Sequence, residues 1–359
     1  MPAGRETAPA AGTVGFSLRA AEPEDLPACR RIWRTALNDY FVRRGLPSIP
    51  AESVSVTRLH AHALATDPTR FVVAQRPAVA GREERSARSV RGAEPGAGAG
   101  PGAGARRGDA PSPPQPDEED PGGELAGFAS AVVRGQTWFL SMLFVEPRAQ
   151  GSGLGRALLE RVLPAPQARS ELRLALVSDS AQPVANGLYA SLGIVPHLPI
   201  WNLVGRPAAG SLPALPDGVR AAPDDEPAWS EPDVGGLDHE VLGFAHPEDH
   251  RFARESGRRR FLYRTGSGRL AGYGYAAPIG HLGPVAVRDP ALLAPVLGHL
   301  LTAVQPRGAS SVWLPGAASE ATRLLVRAGL RMDGFPVLIC WSRPFADFAR
   351  YVPQSPGLL

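Results

Sequence analysis

VEPRAQGSGLGRALLERVL, residues 145–163, places glycines at positions 151, 153 and 155 between an apolar segment and an amphipathic pattern. The preceding segment, TWFLSMLFV, predicts a buried, central β-strand, and RALLERVL predicts a helix. A helix start carries unpaired backbone amides with partial positive charge, and glycines let a ligand oxygen reach them. The stretch therefore predicts either an anion site at a strand-to-helix turn or a tight turn with close helix packing.

The composition limits the chemistry of this turn. The chain has 359 residues and 38 basic side chains, all of which are arginine. A phosphate loop of the G-x-x-x-x-G-K-[ST] type and side-chain Schiff-base chemistry are excluded, because both need a lysine. The dinucleotide fingerprint G-x-G-x-x-G also fails, since Arg156 stands at its sixth position.

The residue balance predicts a soluble, two-domain protein. The formal net charge is only +3, and no arginine run interleaved with aromatics marks a nucleic-acid surface. Cys29 and Cys340 are too far apart in sequence for a thiol-redox or zinc motif, which favours a reducing, cytoplasmic setting. The N-terminus lacks a secretory pattern, and prolines interrupt the longest uncharged run, 187–205, so we expect no membrane span.

Pro- and Gly-rich stretches divide the chain. The Gly, Pro and Ala tract at 80–122 lies between two predicted strands, RFVVAQ and ELAGFASAVV, and predicts a disordered hairpin insertion. The expected parts are a disordered N-terminus (1–15), a first domain (16–204) that contains this insertion, a linker (205–218), a second domain (219–350) and a tail (351–359).

The order of predicted elements indicates an α/β fold with a mixed sheet. In the first domain, the early strands are expected to pair antiparallel, and strands alternate with helices in its later part. The second domain repeats this order, from the strand pair RFLYRTG and RLAGYGYAAPIG to the apolar strand FPVLICW. An internal duplication is therefore expected.

Two segments carry a resemblance to a known family. Val145-Glu146-Pro147 followed by Gln150-Gly151-Ser152-Gly153-Leu154-Gly155-Arg156 resembles the acetyl-CoA signature of the GNAT acyltransferase superfamily, a strand ending V-x-P before [RQ]-x-x-G-x-[GA] and a helix. SAQPVANGLYASLGIVP is similar to the family's N-x-x-A-x-x-L-Y-x-x-x-G-F segment, with Gln182 and Ile194 as departures. The resemblance covers 16–204 and, with the repeated element order, implies two tandem GNAT-like domains.

The resemblance implies a site for acetyl-CoA as co-substrate. The backbone of Leu143, Phe144 and Val145 would lie beside the pantetheine. The backbone amides of the turn would bind the pyrophosphate, namely those of Gln150, Gly151, Ser152, Gly153, Leu154, Gly155 and Arg156. Tyr189 would be the general acid, protonating the departing thiolate; its alternative interpretation is a tyrosine packed in the core.

The general base and the acceptor side are less defined by the sequence. TWFLSMLFV carries no carboxylate, and Glu146 is expected to face solvent. Asp39 and Tyr40 in LNDYFVRRGLP, expected to form the loop after the first helix, are the candidates for the acceptor side. If acid and base both contribute weakly, catalysis would rest mainly on positioning the amine against the thioester.

The remaining histidine and acid motifs predict structure rather than chemistry. In the second domain Asp289-Pro290 replaces the glycine loop, so we expect a degenerate domain and one CoA per chain. In HPEDH, 246–250, the proline is expected to keep the two histidines off one helix face, and with no third ligand evident we predict no metal site. His60 and His62, two apart on a helix, are expected on different faces.

The function expected from the sequence is an N-acetyltransferase. It would transfer an acetyl group from acetyl-CoA to a primary amine of a small molecule or a protein, by direct attack on the thioester. The alternative is an acyl-CoA-binding sensor or interaction module that has lost catalysis, which the missing strand carboxylate favours. The sequence indicates neither the acceptor nor the oligomeric state.

Overall fold

A computed structural model of the chain describes residues 15–50, 55–76, 125–223 and 231–359. The predicted disordered insertion at 80–122 and all but the last residue of the predicted N-terminal segment lie outside the described residues. Within the described residues, no helix combines the length and apolar character that a membrane crossing requires.

The first half of the chain has strands and helices in the predicted order. They are β1 (Ser17–Ala20), α1 (Leu26–Val42), α2 (Ser55–Thr66), β2 (Phe71–Gln75), β3 (Leu125–Arg134), β4 (Thr137–Val145), α3 (Leu154–Val162), α4 (Pro166–Arg169), β5 (Arg173–Asp179), α5 (Pro183–Ala190) and β6 (Val195–Gly205).

The second half repeats this order, as the sequence predicts. Its elements are β7 (Val219–Pro223), α6 (Glu231–Leu242), α7 (Pro247–Glu255), β8 (Arg259–Thr265), β9 (Leu270–Ala276), β10 (His281–Val287), α8 (Leu293–Ala303), β11 (Ser310–Pro315), α9 (Ser319–Arg327), β12 (Arg331–Met332), β13 (Val337–Trp341) and β14 (Tyr351–Val352).

The strands form one mixed sheet, which confirms the predicted fold class. Within each half, successive strands pair antiparallel until the last pair: β4 and β5 are parallel in the first half, and β10 and β11 are parallel in the second. Parallel neighbours need a crossover connection, which α3 and α8 supply. The internal duplication thus appears in pairing direction as well as in element order.

The two halves exchange a strand at their junction. The strand order runs β1-β2-β3-β4-β5-β13-β6-β11-β10-β9-β8-β7, so β13 of the second half lies between β5 and β6 of the first. In turn β6 pairs antiparallel with β11, from Ile200 opposite Pro315 to Gly205 opposite Ser310. The boundaries 16–204 and 219–350 stay a prediction, but the sheet is continuous across them.

Three buried clusters stabilise this sheet. One lies under α3 and includes Trp138, whose indole Nε1 donates to the carbonyl of Val162 at 3.1 Å. A second lies under α8 and α9. The third is shared, since α1 and α2 of the first half and α6 and α7 of the second contribute to it. The halves therefore pack against each other through apolar side chains that a separated half would expose to water.

Candidate active site

A cleft opens in the sheet where β4 and β5 diverge. Their parallel pairing covers only residues 137–140 opposite 173–176. On its other side, β4 stays paired with β3, with a register shift that leaves Ser141 as an extra residue in β4. Residues 143–145, where the sequence predicts the pantetheine contact, are partly exposed, and this edge of β4 has no strand partner among the described residues.

The turn after β4 needs glycine at two of its three glycine positions. Gly151 has φ +78° and Gly153, which caps α3, has φ +84°. A side chain is strained in this left-handed region. Gly155 differs, because a Cβ built on it would meet only the Val145 side chain at 3.8 Å. The fold therefore requires the first two glycines, and the third keeps the first turn of the helix bare.

The amides of this turn are available to a ligand. Within the described part of the chain, the backbone N–H groups of residues 151–156 donate to no protein acceptor, and the first bonded amides on either side are those of Gln150 and Ala157. These amides stand at the positive end of α3. A run of unpaired donors at a helix start is a binding site for a phosphate oxygen.

The side chains of the turn hold its shape rather than fill it. The Gln150 amide Nε2 donates to the carbonyl of Val145 at 3.1 Å, and the Ser152 hydroxyl donates to the carbonyl of Ala149 at 2.8 Å. Leu154, the first residue of α3, is buried. Arg156 is about half exposed and lies 3.8 Å from Glu160, one turn further along the helix. The strand end and the turn are thus fixed to each other.

The expectation that Glu146 faces solvent is wrong. Its side chain is buried, and one carboxylate oxygen lies 3.3 Å from Arg76 and 3.1 Å from Arg148. Arg148 is close in sequence, but Arg76 comes from the segment after β2, 70 residues away. The local pattern V-E-P could not reveal that distant arginine.

Tyr189 lies on α5, inside the cluster under α3. Its side chain is only 7% exposed and belongs to the same cluster as Leu154, Leu158 and Leu176. Burial raises the pKa of the Tyr189 phenol well above its usual range, with a smaller contribution from Cys340. The phenol is therefore protonated at neutral pH. Its burial is what the core interpretation predicts, and the role of proton donor stays a prediction.

Both acceptor-side candidates lie on α1 rather than in a loop after it, because the helix continues to Val42, and their surroundings differ. Asp39 is paired with Arg43 at 2.9 Å, one turn on along α1. Tyr40 is buried, with the Arg44 guanidinium stacked 3.9 Å from its ring centroid. Burial and the neighbouring Asp179 carboxylate raise the pKa of the Tyr40 phenol. Tyr40 therefore faces the end of β5, where the cleft is open.

Asp179 is a functional candidate that the sequence reasoning missed. It is the last residue of β5, half-buried, and one carboxylate oxygen accepts the Ala181 amide at 2.8 Å. Asp179 thus places a carboxylate at the open end of the cleft, whereas β4 carries no carboxylate. The available signal was an acid at the end of the strand LALVSD, directly before the segment that carries Tyr189.

In the second half, the cleft corresponding to that between β4 and β5 is filled by the chain itself. β10 and β11 pair only at His281 and Leu282, and beyond that point β14 pairs antiparallel with β10. The helix start beyond β10 is occupied as well, because the Asp289 carboxylate accepts the Ala291 amide at 2.9 Å. In the second half, the chain itself therefore pairs with the strand edge and provides an acceptor for a helix-start amide, the two features that a CoA site would use.

The structure corrects the interpretation of HPEDH. Pro247 is the first residue of α7, a position that tolerates proline, so the helix carries His250 while His246 caps it. Both imidazoles are buried with ring centroids 4.5 Å apart, and Asp238 of α6 supplies the third group that the sequence did not reveal. The prediction for α2 is correct: His60 contacts Met142, whereas His62 contacts Asp249.

The sequence of this chain is similar to those of known proteins. A family model, Acetyltransferase (GNAT) family, matches residues 106–194, which include β4, the glycine turn, α3, β5 and Tyr189. The mycothiol acetyltransferase of Streptosporangium roseum is 32% identical over 151 residues, which is 39% of this chain and 40% of that protein. The match to this curated relative thus spans well under half of its length.

Solved structures with the same fold cover nearly the whole chain. A protein of Pyrococcus horikoshii described as an acetyltransferase is 15% identical, with a TM-score of 0.65 and 96% of each chain covered. A GCN5-related N-acetyltransferase of Sphaerobacter thermophilus is 19% identical, with a TM-score of 0.56, 93% of this chain and 98% of that chain covered. At such identities the likeness shows the fold alone.

Proposed function

We propose, on the premise that residues 106–194 belong to the GNAT acetyltransferase family, that this protein is an acetyl-CoA-dependent N-acetyltransferase acting on a primary amine. One observation carries the proposal: the open edge of β4 at 143–145 leads directly into the amides of 151–156, which have no protein acceptor among the described residues. An extended ligand that carries amides at one end and a diphosphate at the other would match this arrangement of a strand edge followed by backbone amides.

The chain would bind the pantetheine arm as it would bind another strand. The N–H and C=O groups of Leu143 and the N–H of Val145 would pair with the amides of the arm, because no described strand neighbours the edge of β4 there. The turn would then hold the pyrophosphate through backbone donors and the dipole of α3, without a lysine. The filled cleft of the second half supports a stoichiometry of one acetyl-CoA per chain.

Tyr189 would act as the proton donor in the reaction. The neutral amine nitrogen of the acceptor would attack the thioester carbonyl to form the new carbon–nitrogen bond, the carbon–sulfur bond would break, and the Tyr189 hydroxyl would give its proton to the departing sulfur. The proton that the nitrogen loses would pass to water, and the Tyr189 phenolate would take a proton back from water. Burial keeps the phenol protonated at neutral pH, which this role requires. Such a donor contributes typically ~100-fold or more to a rate.

Asp179 and Tyr40 would form the acceptor side of the cleft. A carboxylate at the end of β5 attracts an ammonium group and aligns it before the amine loses its proton. Tyr40, beside it on α1, offers a hydroxyl and a ring face next to the Arg44 guanidinium. Since β4 provides no carboxylate, positioning of the amine against the thioester would supply much of the rate. The two buried, unpaired cysteines support a reducing, cytoplasmic setting.

The test is release of CoA from acetyl-CoA in the presence of a panel of amines. We expect turnover with at least one amine, and a fall in kcat of ~100-fold in Tyr189→Phe with unchanged affinity for acetyl-CoA. Tyr263→Phe is the matched control, since this second-half tyrosine is also buried and hydrogen-bonded to His299 at 3.0 Å. Binding of acetyl-CoA without turnover on any amine would instead favour the sensor.

The acceptor side has its own test. Asp179→Asn keeps an oxygen that can accept the Ala181 amide but removes the charge, so we expect KM for the amine to rise ~10-fold or more while KM for acetyl-CoA is unchanged. Asp39→Asn is the comparison, because Asp39 is already paired with Arg43. If Asp39→Asn raises KM for the amine and Asp179→Asn does not, the acceptor binds on the outer side of α1.

A further inference from the structure

A cluster of buried ionisable groups lies at the contact between the two halves, away from the cleft. Asp238 of α6 and His246 are completely buried, and His250 of α7 is 7% exposed. Asp249 of α7 connects this cluster to the first half, because it lies 2.6 Å from His62 of α2 and 2.8 Å from Arg134 of β3. The acetyl-transfer chemistry proposed above uses none of these groups.

His246 is enclosed between two carboxylates. Neither ring nitrogen makes a hydrogen bond, although the side chain is fully enclosed. Nε2 points towards Asp238 at 3.6 Å and Nδ1 towards Asp249 at 3.4 Å. A buried imidazole without hydrogen bonds is costly. Nε2 of His246 therefore faces the Asp238 carboxylate, which also contacts His250, from a distance longer than a normal hydrogen bond.

The side chains around that position form a set of metal ligands. Asp238, His246 and His250 each offer one ligand atom, and these atoms lie within 4.8 Å of one another. Tetrahedral zinc with bonds of about 2.0–2.1 Å separates its ligand atoms by roughly 3.3–3.4 Å. Nε2 of His250 lies 2.9 Å from Oδ2 of Asp238, and Nε2 of His246 lies 3.6 Å from Oδ1 of the same carboxylate, so the two imidazoles face one carboxylate at distances near that value.

Each ligand also has an outer partner on its far side. The Tyr273 hydroxyl donates to Asp238 at 2.7 Å, and the Tyr275 hydroxyl lies 2.9 Å from Nδ1 of His250. The Asp249 carboxylate faces Nδ1 of His246, and is itself held by Arg134. Carboxylates and hydroxyls on the remote nitrogen of a ligating histidine orient the ring for a metal. The arrangement is thus that of a metal centre with its outer shell.

We propose that Asp238, His246 and His250 bind one divalent transition-metal ion of the zinc type, which stabilises the contact between the two halves of the chain. Two imidazoles and one carboxylate in a closed, buried site suit Zn²⁺ or Co²⁺ rather than Mg²⁺ or Ca²⁺, which prefer oxygen ligands and water. The role is structural, because Asp249 links the ligand His246 to His62 and Arg134 of the other half.

The test uses the full-length protein and does not depend on acetyl transfer. Metal content is measured by mass spectrometry in the protein as purified, and the chelated protein is then titrated with Co²⁺, whose visible absorption reports coordination of the ion by nitrogen and oxygen. We expect one equivalent of Zn²⁺ or Co²⁺ per chain, and a rise in Tm when metal is restored. Chelated wild-type protein that binds neither ion would overturn the proposal.

Two variants and a control make the assignment specific. Asp238→Asn keeps the size of the side chain and His246→Ala removes a ligand; each should weaken Co²⁺ affinity ~10-fold or more and change the visible spectrum. His299→Ala removes a histidine of α8 outside the cluster and should bind Co²⁺ as the wild type does. Far-UV circular dichroism verifies folding. Wild-type-like Co²⁺ spectra in both ligand variants would place the ion elsewhere and refute this site.

Discussion

The two halves of this molecule build the same cleft and treat it in opposite ways. In the first half, β4 diverges from β5 and leaves a strand edge at 143–145 followed by amides that have no protein acceptor among the described residues. In the second half, β10 diverges from β11 in the same manner, but β14 pairs along it and Asp289 accepts a helix-start amide. A cleft of this kind is thus a property of the fold, whereas ligand binding depends on whether backbone groups are left unsatisfied.

The largest effect is expected at the glycine turn, where the pyrophosphate of acetyl-CoA would bind. Gly153→Glu puts a side chain at φ +84° and a negative charge among the free amides, so we expect acetyl-CoA affinity to fall ~1000-fold or more by calorimetry. Gly268→Glu is the matched control, because Gly268 has φ +83° and open space in the turn between β8 and β9. Both changes carry the same backbone strain, so equal affinities in the two variants would refute the phosphate site.

The pH dependence of stability compares a buried histidine in each half. Burial lowers the pKa of His60 to about 4, and burial with the charge of Arg258 lowers that of His281 to about 4. The unfolded chain therefore binds more protons between pH 4 and 6.5. The free energy of unfolding should fall as pH is lowered through this window, by at most ~1.4 kcal/mol per pH unit for each histidine.

His281 of β10 also contacts the C-terminal segment that covers the second-half cleft, since its Nε2 lies 3.2 Å from the carbonyl of Gln354. His281→Asn should flatten the dependence of the urea-unfolding free energy on pH between 4 and 6.5, and so should His60→Gln. If both variants keep the wild-type slope, other groups control acid stability, and the two histidines are not held neutral.

The same substitution should cost more in the filled cleft than in the open one. Val352 of β14 is completely buried, and Val145 at the end of β4 is partly exposed. We expect Val352→Ala to lower the free energy of unfolding by about 2 kcal/mol and Val145→Ala by ~1 kcal/mol or less. Equal losses in urea unfolding would mean that the edge of β4 is as well packed as that of β10.

The smallest effect concerns the cap of the second-half helix. Asp289→Ala removes the carboxylate that accepts the Ala291 amide, which should lower stability by ~1 kcal/mol. The number of acetyl-CoA molecules bound per chain should remain one, because β14 still covers β10. A second equivalent bound by this variant, measured by calorimetry, would show that the charge at Asp289 alone excludes CoA from this half.

The features that local sequence encodes were the ones that could be predicted. The run TWFLSMLFV, the glycines that need positive φ and the amphipathic segment after them depend on neighbours in the chain, and the structure has a strand, a turn and a helix there. The repeat of element order in the second half depends on the same kind of signal.

The features that sequence could not reveal come from distant segments. Glu146 is buried because Arg76 reaches it, and β14 fills a cleft that lies about 65 residues before it in the chain. Asp238 meets His246 and His250 only once α6 packs on α7. Composition and spacing carry no information on such contacts. For HPEDH the error was local, since proline was treated as a helix breaker where it starts a helix.

The exchanged strand has a consequence for how the chain folds. β5 ends at Asp179 and its neighbour β13 ends at Trp341, so the first half of the sheet acquires this strand only after most of the chain has been synthesised. Pairing over such a sequence distance raises the contact order and slows folding. A ribosome-bound first half would therefore hold the edges of β5 and β6 open until the second half arrives, which makes this interval the time at which the nascent protein most needs protection from aggregation.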